Sequence, residues 1–420
     1  MKVGPVHLLR DATFRRLHEM QDLWGRFSGL VTDAARAGNP LATLVLEHTS
    51  GMMHSPLCCR VAAAEFTPTP EPDAAGAEAA RRVVAAYHRA RADAAAPPAP
   101  SLWDGITADR HEFLAALDRG DVPAVRHALD RMFVTELTWG LGQVHPSHLP
   151  LLRAESSWLH FRFTDALVSL AEAVGAARLT AMSQAVPDHL QPLNRDPNAA
   201  YEAAVTGLGF DPAFPAVGSA YGFRLAGRLV TIDSLTHAYT AHRLAQLGAA
   251  GPGATVYELG GGYGCLALLA RRAGVGRYAV FDLPWVNALQ GYFLIRALPA
   301  GAVRLYGEDA PSAAGGTVDL LPYWKLYAEP AGACDVLVNS DSLPEMGPET
   351  AAGYLPHIRR VVRRAFLSIN QEAKAAVPGV GEQNCVRELV ASAGGFVCRS
   401  RHRHWVRPGY VEEVFEPADG

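Results

Sequence analysis

Apolar positions along this chain follow two rhythms. From residue 254 onward, short continuous apolar runs alternate with amphipathic stretches. The runs are 254–259, 278–281, 317–322, 334–340 and 365–370, with 396–405 and 410–415 completing seven expected strands. Continuous rather than alternating apolarity marks parallel strands buried on both faces. Residues 303–306 form a further short run. Between the runs, 265–272, 285–298, 349–364 and 382–393 read as helices, and 342–346 as a turn. Strands alternating with helices predict a doubly wound α/β domain.

Before residue 236 the rhythm is helical. Phe14, Leu17, Met20, Leu23 (or Trp24) and Phe27 predict a helix over 8–37. Residues 62–100 are rich in Ala and Pro, and predict one exposed helix, 75–96, between two semi-rigid linkers. Phe113, Leu114 and Leu117, then Val125 to Leu137, mark two helices, the second ended by 139–142, and 156–176 is a third. Residues 190–200 read as irregular. Asp233 or Ser234 is expected to cap a helix over 235–247. The chain therefore divides into an N-terminal helical segment (1–60), an Ala/Pro-rich linker (61–100), a helical lid and dimerisation region (101–235) and a Rossmann-like domain (236–420).

The first strand ends in Glu258-Leu-Gly260-Gly-Gly262-Tyr-Gly264. Glycine there permits a tight turn and the close approach of a ligand at the carboxyl edge of the sheet. The second strand ends in Asp282, placed to hold the two hydroxyls of a ribose. A dinucleotide fingerprint needs G-x-G-x-x-G. From Gly260 the sixth position is Cys265; from Gly262 it is Ala267, too deep in the helix. A carboxylate at Glu258 would also repel a pyrophosphate, whereas it favours a cationic amine.

Charge and cysteines narrow the field. A net charge of −4 gives no nucleic-acid surface, and the basic run 399–407 reads as a solvated strand face. The cysteines Cys58, Cys59, Cys265, Cys334, Cys385 and Cys398 include no C-x-x-C pair, so reduced thiols in a cytoplasmic protein are expected. A metal group at His48, His54, Cys58 and Cys59 matches no known spacing, and no metal is expected. The N-terminus lacks the apolar core of a signal peptide, and no run is long enough to span a membrane.

The E-x-G-x-G-x-G turn resembles the first motif of class I S-adenosylmethionine (SAM)-dependent methyltransferases. More narrowly, GRLVTIDSLTHAYTAHRL, YELGGGYGCLA, VFDLP, VNSDSLPEM and SINQEA resemble putative sugar O-methyltransferases of bacterial polysaccharide and antibiotic-glycoside clusters, over about 130–415. That resemblance implies a seven-stranded Rossmann-like sheet with its last strand antiparallel, and SAM as cofactor. It implies that the acid ending the first strand lies close to the methionine amine. The expected SAM-binding set is Glu258, Gly260, Gly262, Tyr263, Gly264, Asp282, Leu283, Tyr323 and Ser340.

The acceptor would meet the methyl group beyond the fourth and fifth strands. Asn339, Ser342, Asn370, Gln371 and Glu372 are the expected acceptor-binding residues, since amides and hydroxyls suit hydroxyl partners. Asp341, Glu345, His237 and His242 are the candidate bases, Glu345 reading equally well as a helix-start carboxylate. The expected activity is methyl transfer to a hydroxyl of a sugar or glycosylated natural product, by a homodimer. A non-sugar hydroxyl or carboxylate acceptor, or a SAM-binding scaffold without catalysis, remains open.

Overall fold

The computed structural model describes residues 61–94, 101–144, 148–153, 158–178, 196–309, 316–377 and 381–418, with scattered positions between 19 and 39. The helix expected over 8–37 lies largely outside these residues, and His48, His54, Cys58 and Cys59 lie wholly outside them.

The first half of the chain contributes β1 (Glu65–Phe66), α1 (Ala74–Asp93), α2 (Trp103–Ala108), α3 (His111–Arg119), α4 (Val122–Leu129), α5 (Leu149–Arg153), α6 (Trp158–Ala173) and α7 (Pro197–Leu208). Then come β2 (Tyr221–Leu225), β3 (Arg228–Val230) and α8 (Ile232–Gln246). The second half contributes β4 (Gly251–Leu259), α9 (Cys265–Arg272), β5 (Val275–Asp282), α10 (Pro284–Ala297), β6 (Val303–Arg304), β7 (Thr317–Pro322) and β8 (Cys334–Ser340). It closes with α11 (Ser342–Glu345), α12 (Pro348–Val361), β9 (Val362–Asn370), β10 (Ala376–Val377), β11 (Gly381–Glu382), α13 (Val386–Ala393), β12 (Phe396–Arg403) and β13 (Val411–Pro417).

The large sheet has the order β12-β13-β9-β8-β4-β5-β7-β6. Its strands are parallel except β13, which runs antiparallel to both β9 and β12. The expected seven strands are all present, with the last one reversed. The eighth is the short run after 303, which pairs with β7 at the edge. From β4 the chain winds outward through β5 to β7, then crosses back to β8 and β9. The crevice of a doubly wound sheet opens where the winding reverses, here beyond the carboxyl ends of β4 and β8. Alternate side chains of β4 enter opposite layers: Val256 packs on the side of α8 to α10, and Tyr257 and Leu259 on the side of α12 and α13.

Several boundaries differ from expectation for local reasons. Strand β9 begins at Val362, because Arg363 and Arg364 lie extended and reach Asp335 at 3.0 and 3.4 Å. The helix expected from 382 begins at Val386, because Gly381–Glu382 pairs with Ala376–Val377 in a small hairpin. The second helix expected between 125 and 137 ends at Leu129 and gives way to two 3₁₀ turns, Met132–Val134 and Glu136–Thr138. Part of the stretch read as irregular is α7, capped by Asp196, whose carboxylate accepts from the Asn198 amide. Helix α8 is capped by Thr231, not by Asp233 or Ser234. Thr231 and Ser234 bond each other's backbone N–H groups at 3.0 Å, a reciprocal capping box that leaves Asp233 free for another role.

Helix α1 is not the exposed helix expected. Asp73 caps it, and Ala79, Ala80, Val83, Val84, Tyr87 and Ala90 bury one face. That face packs on α10, where a Cβ at Gly291 would come within 2.9 Å of Val83 and Leu305. Arg296 to Asp73 (2.8 Å) and Arg82 to Glu308 (2.8 Å) tie the same seam. Gly291→Leu should therefore wedge α1 from the sheet and cost about 1–3 kcal/mol. Urea unfolding checks this, and an unchanged midpoint would contradict the close approach.

Candidate active site

Beyond the carboxyl ends of β4, β5, β7 and β8 lies a cavity of about 690 Å³. Its walls include Glu258 to Tyr263, Asp282, Leu283, Tyr323, Ser340, Asp341, Ser342 and Glu345. The helical half of the chain closes it with Ser101, Trp103, Gly140 to Gln143, Asp233, Thr236 and His237.

The glycine turn is packed too closely for any side chain. Gly260, Gly262 and Gly264 have φ of +75°, +55° and +98°. A Cβ at Gly260 would stand 2.3 Å from Cβ of Ser342, and one at Gly262 would stand 2.7 Å from the Leu141 carbonyl. The turn is then tied from two sides. Asp282 Oδ2 accepts from the Gly261 amide (2.8 Å) and from Gln290 Nε2 (2.8 Å), while its Oδ1 accepts from the Leu283 amide (2.8 Å). Gln290, fully buried, also donates to the Gly262 carbonyl (2.9 Å). From β8, Ser342 Oγ and Asn339 Nδ2 both donate to the Leu259 carbonyl, at 2.8 and 2.9 Å.

The acids beneath the turn hold protons tightly. Burial pushes the Glu258 carboxyl up to about 8, against a hydrogen bond from Tyr278 that favours the anion, and the nearby Asp282 adds to the rise. Burial also raises Asp282, to about 6, opposed by its three donors. Tyr263 is buried among Phe133, Phe214 and Phe293, and its hydroxyl donates to Asp233 Oδ2 (2.9 Å). Asp233 Oδ1 accepts from the Gln143 amide (2.9 Å). Freed from capping, Asp233 thus pins the 140–143 loop and Tyr263 to the cavity wall.

Beyond β8 the chain is strained. Asp341 has φ +68° and ψ −36°, a region that costs energy unless the surroundings enforce it. Asn370 Oδ1 accepts from its amide (2.8 Å), and Arg407 Nη1 donates to its Oδ2 (2.6 Å). Glu345 Oε2 accepts from the Trp103 indole (2.9 Å), and the Leu102 amide donates to the Glu345 carbonyl (3.2 Å). Burial, with Asp341 nearby, pushes the Glu345 carboxyl up to about 8. His237 lines the cavity and makes no hydrogen bond to a described residue. Burial lowers its pKa, Arg407 lowers it further, and Asp233 and Asp341 oppose them.

Of the expected residues, the cavity brings together Glu258, Gly260, Gly262, Tyr263, Asp282, Leu283, Tyr323, Ser340, Asp341, Ser342, Glu345 and His237. Others stand elsewhere. Gly264 caps α9. His242 bonds Gln246 away from the cavity. Asn339 and Asn370 are buried and bonded to each other and to the strand ends, so they brace the site rather than face a ligand. Gln371 bonds Gln383, and Glu372 is taken by Arg401 at 2.7 Å. The sequence reading missed Trp103, Gln143, Gln290, Arg407 and Tyr410. Gln290 carried a signal, as a glutamine between apolar neighbours in the helix that follows the strand-end acid. Among the described residues no group of three or more His, Cys, Asp or Glu is placed to hold a metal ion.

No protein-family model and no curated protein matches this chain. Among solved structures, it is similar to a magnesium protoporphyrin IX methyltransferase from Synechocystis with bound S-adenosylhomocysteine (SAH), at 15% identity and TM-score 0.32 over 44% of this chain and 82% of that one. A 1,6-didemethyltoxoflavin-N1-methyltransferase from Burkholderia thailandensis gives 17% and 0.31 over 44% and 79%. A putative sarcosine dimethylglycine methyltransferase from Galdieria sulphuraria gives 16% and 0.32 over 44% and 87%.

The raised carboxyls set a pH dependence. Glu258 binds its proton more tightly folded (about 8) than its ordinary value of 4.5, so the folded state carries the extra proton between those values. The contribution of Glu258 to stability then falls as pH rises from 4.5 toward 8. Glu345 acts with the same sign over the same window. Thermal unfolding of the ligand-free protein across that window should show Glu258→Gln and Glu345→Gln each flattening the decline. A slope equal to wild type in both would contradict the assignment.

Proposed function

We propose that this protein is a SAM-dependent O-methyltransferase acting on a hydroxyl of a small acceptor, a sugar or glycosylated natural product. The observation that carries the reading is the division of one cavity into two ends. Toward β4 and β5 the lining holds a glycine turn with no room for a side chain and two strand-end acids; toward Asp341 and Arg407 it holds a histidine with no hydrogen bond to a described residue.

The cradle end fits the cofactor by its chemistry. Asp282 already accepts three hydrogen bonds, yet a carboxylate offers about four sites, and one remains toward a ribose hydroxyl. Tyr323, at the tip of β7 beside β5, supplies a flat face for an adenine. Glu258 and the Gly260–Gly262 backbone would face the methionine portion, where a cationic amine returns Glu258 to its anionic form. When bound, the cofactor supplies a methyl group made electrophilic by a sulfonium.

The other end suits deprotonation. A sugar hydroxyl is a weak nucleophile and gains from a base as the new bond forms. Asp341 is committed to Arg407, and Glu345 keeps its own proton near neutral pH. Burial lowers the pKa of His237, and among the described residues its ring has no hydrogen-bond partner, so it takes the hydroxyl proton. Trp103, held by Glu345, covers this end, and the 140–143 loop covers the glycine turn; together they exclude water, which would compete as acceptor. The same reading makes the protein a cytoplasmic homodimer.

Calorimetry tests the cofactor half. Wild type should bind SAM and SAH at about micromolar affinity, and Asp282→Ala should weaken both by about tenfold or more, the loss of a hydrogen bond to a charged group. Absence of SAH binding by wild type would overturn the reading. His237→Ala should leave SAH affinity unchanged but lower kcat about 10²- to 10⁴-fold on any acceptor found, measured as SAH release.

A further inference from the structure

The basic run 399–407 divides in the structure. Arg399 and Arg401 stay on the edge strand β12, paired with Glu416 (2.6 Å) and with Glu372 and Glu413 (2.7 and 2.8 Å). Past the strand the chain turns back. The His404 amide donates to the Tyr410 carbonyl (2.9 Å) and closes the turn. The fully buried His404 ring accepts at Nδ1 from the amides of Val406 (3.1 Å) and Arg407 (2.9 Å). Both bonds need Nδ1 unprotonated, and burial, opposed by Glu412 and aided by Arg407, takes the imidazole down to about 3.

This turn delivers Arg407 to the cavity wall rather than to solvent. Its side chain is 17% exposed, its Nη1 meets Asp341, and its guanidinium lies 3.6 Å from the centre of the Tyr410 ring. A guanidinium has five N–H donors. Only this one makes a hydrogen bond to a described residue. Arg407 and Asp341 line the same cavity as His237, and both interact electrostatically with it.

We propose that Arg407 and Asp341 together clamp the acceptor by hydroxyls neighbouring the one that reacts, with His404 as the positioning residue behind Arg407. The clamp rests on the methyltransferase reading only for which hydroxyl reacts. The pair offers donors and an acceptor side by side while its charges cancel, so it selects a neutral vicinal diol over a carboxylate or an amine. The Tyr410 ring and the Trp103 indole, the latter held by Glu345, add flat apolar faces beside it. Polar groups in the ring plane and apolar C–H groups above it are the surface of a pyranose. The acceptor class is therefore a neutral pyranoside, not a uronate or an amino sugar.

The test uses the full-length protein with saturating SAH, and saturation-transfer NMR on a panel of methyl pyranosides with their matching uronates. At least one neutral pyranoside should give a signal stronger than its uronate. Arg407→Lys, which keeps the charge but loses the fork, should cut that signal about fivefold or more. Asp341→Asn, which keeps the shape of the side chain but loses the negative charge and one acceptor, should do the same. SAH affinity should stay at the wild-type value in both. Preference for uronates, no signal from any neutral pyranoside, signals unchanged in both variants, or SAH affinity lost with Arg407→Lys would each overturn the clamp. If wild type fails to bind SAH, the same panel on the free protein judges the clamp separately from the cofactor reading.

Discussion

The structure depends on how one chain reversal is held. Between β4 and α9 the backbone must leave a strand, pass through left-handed conformations at Gly260, Gly262 and Gly264, and start a helix without a side-chain cap. Glycine makes this possible but gives it no rigidity, since the same freedom is available unfolded. Rigidity comes from outside. Asp282 and Gln290 hold the turn from the β5 side, and Ser342 and Asn339 hold the Leu259 carbonyl from the β8 side. The crevice exists because two neighbouring strands grip the turn between them.

This tie explains why some residues that look like ligand contacts are not. Asn339 and Asn370 lie at the strand tips where an acceptor would approach, and their chemistry suits hydroxyls. The structure commits them to the backbone instead: Asn370 fixes the strained amide of Asp341, and Asn339 anchors Leu259. A buried amide left half-bonded would be costly.

The Rossmann-like half was legible in the sequence because its signals are local. Continuous apolar runs, glycines at one turn and acids at two strand tips need only a window of a few residues, and α9, β7 and β8 fall at the expected bounds. The helical half was less legible. Alanine-rich α1 reads as exposed because alanine carries little hydrophobicity, yet small side chains are what permit its close approach to Gly291. Asp233 reads as a cap by position, but Thr231 with Ser234 outcompetes it through two reciprocal bonds. Arg407 was hidden for a different reason. Its role depends on a turn closed by His404 and on a carboxylate 66 positions away, which no local pattern records.

The cavity's electrostatics follow from the same geometry. Its acids are too buried to ionise freely while empty, and its arginine is matched by a strained aspartate. Burial thus keeps Glu258 protonated to a higher pH than an exposed glutamate, which spares the fold an unpaired buried charge. At the other end the charges are already paired, and what faces the cavity is hydrogen-bonding capacity without net charge. The strain at Asp341 is held from two sides, because Asn370 accepts from its amide and Arg407 donates to its carboxylate.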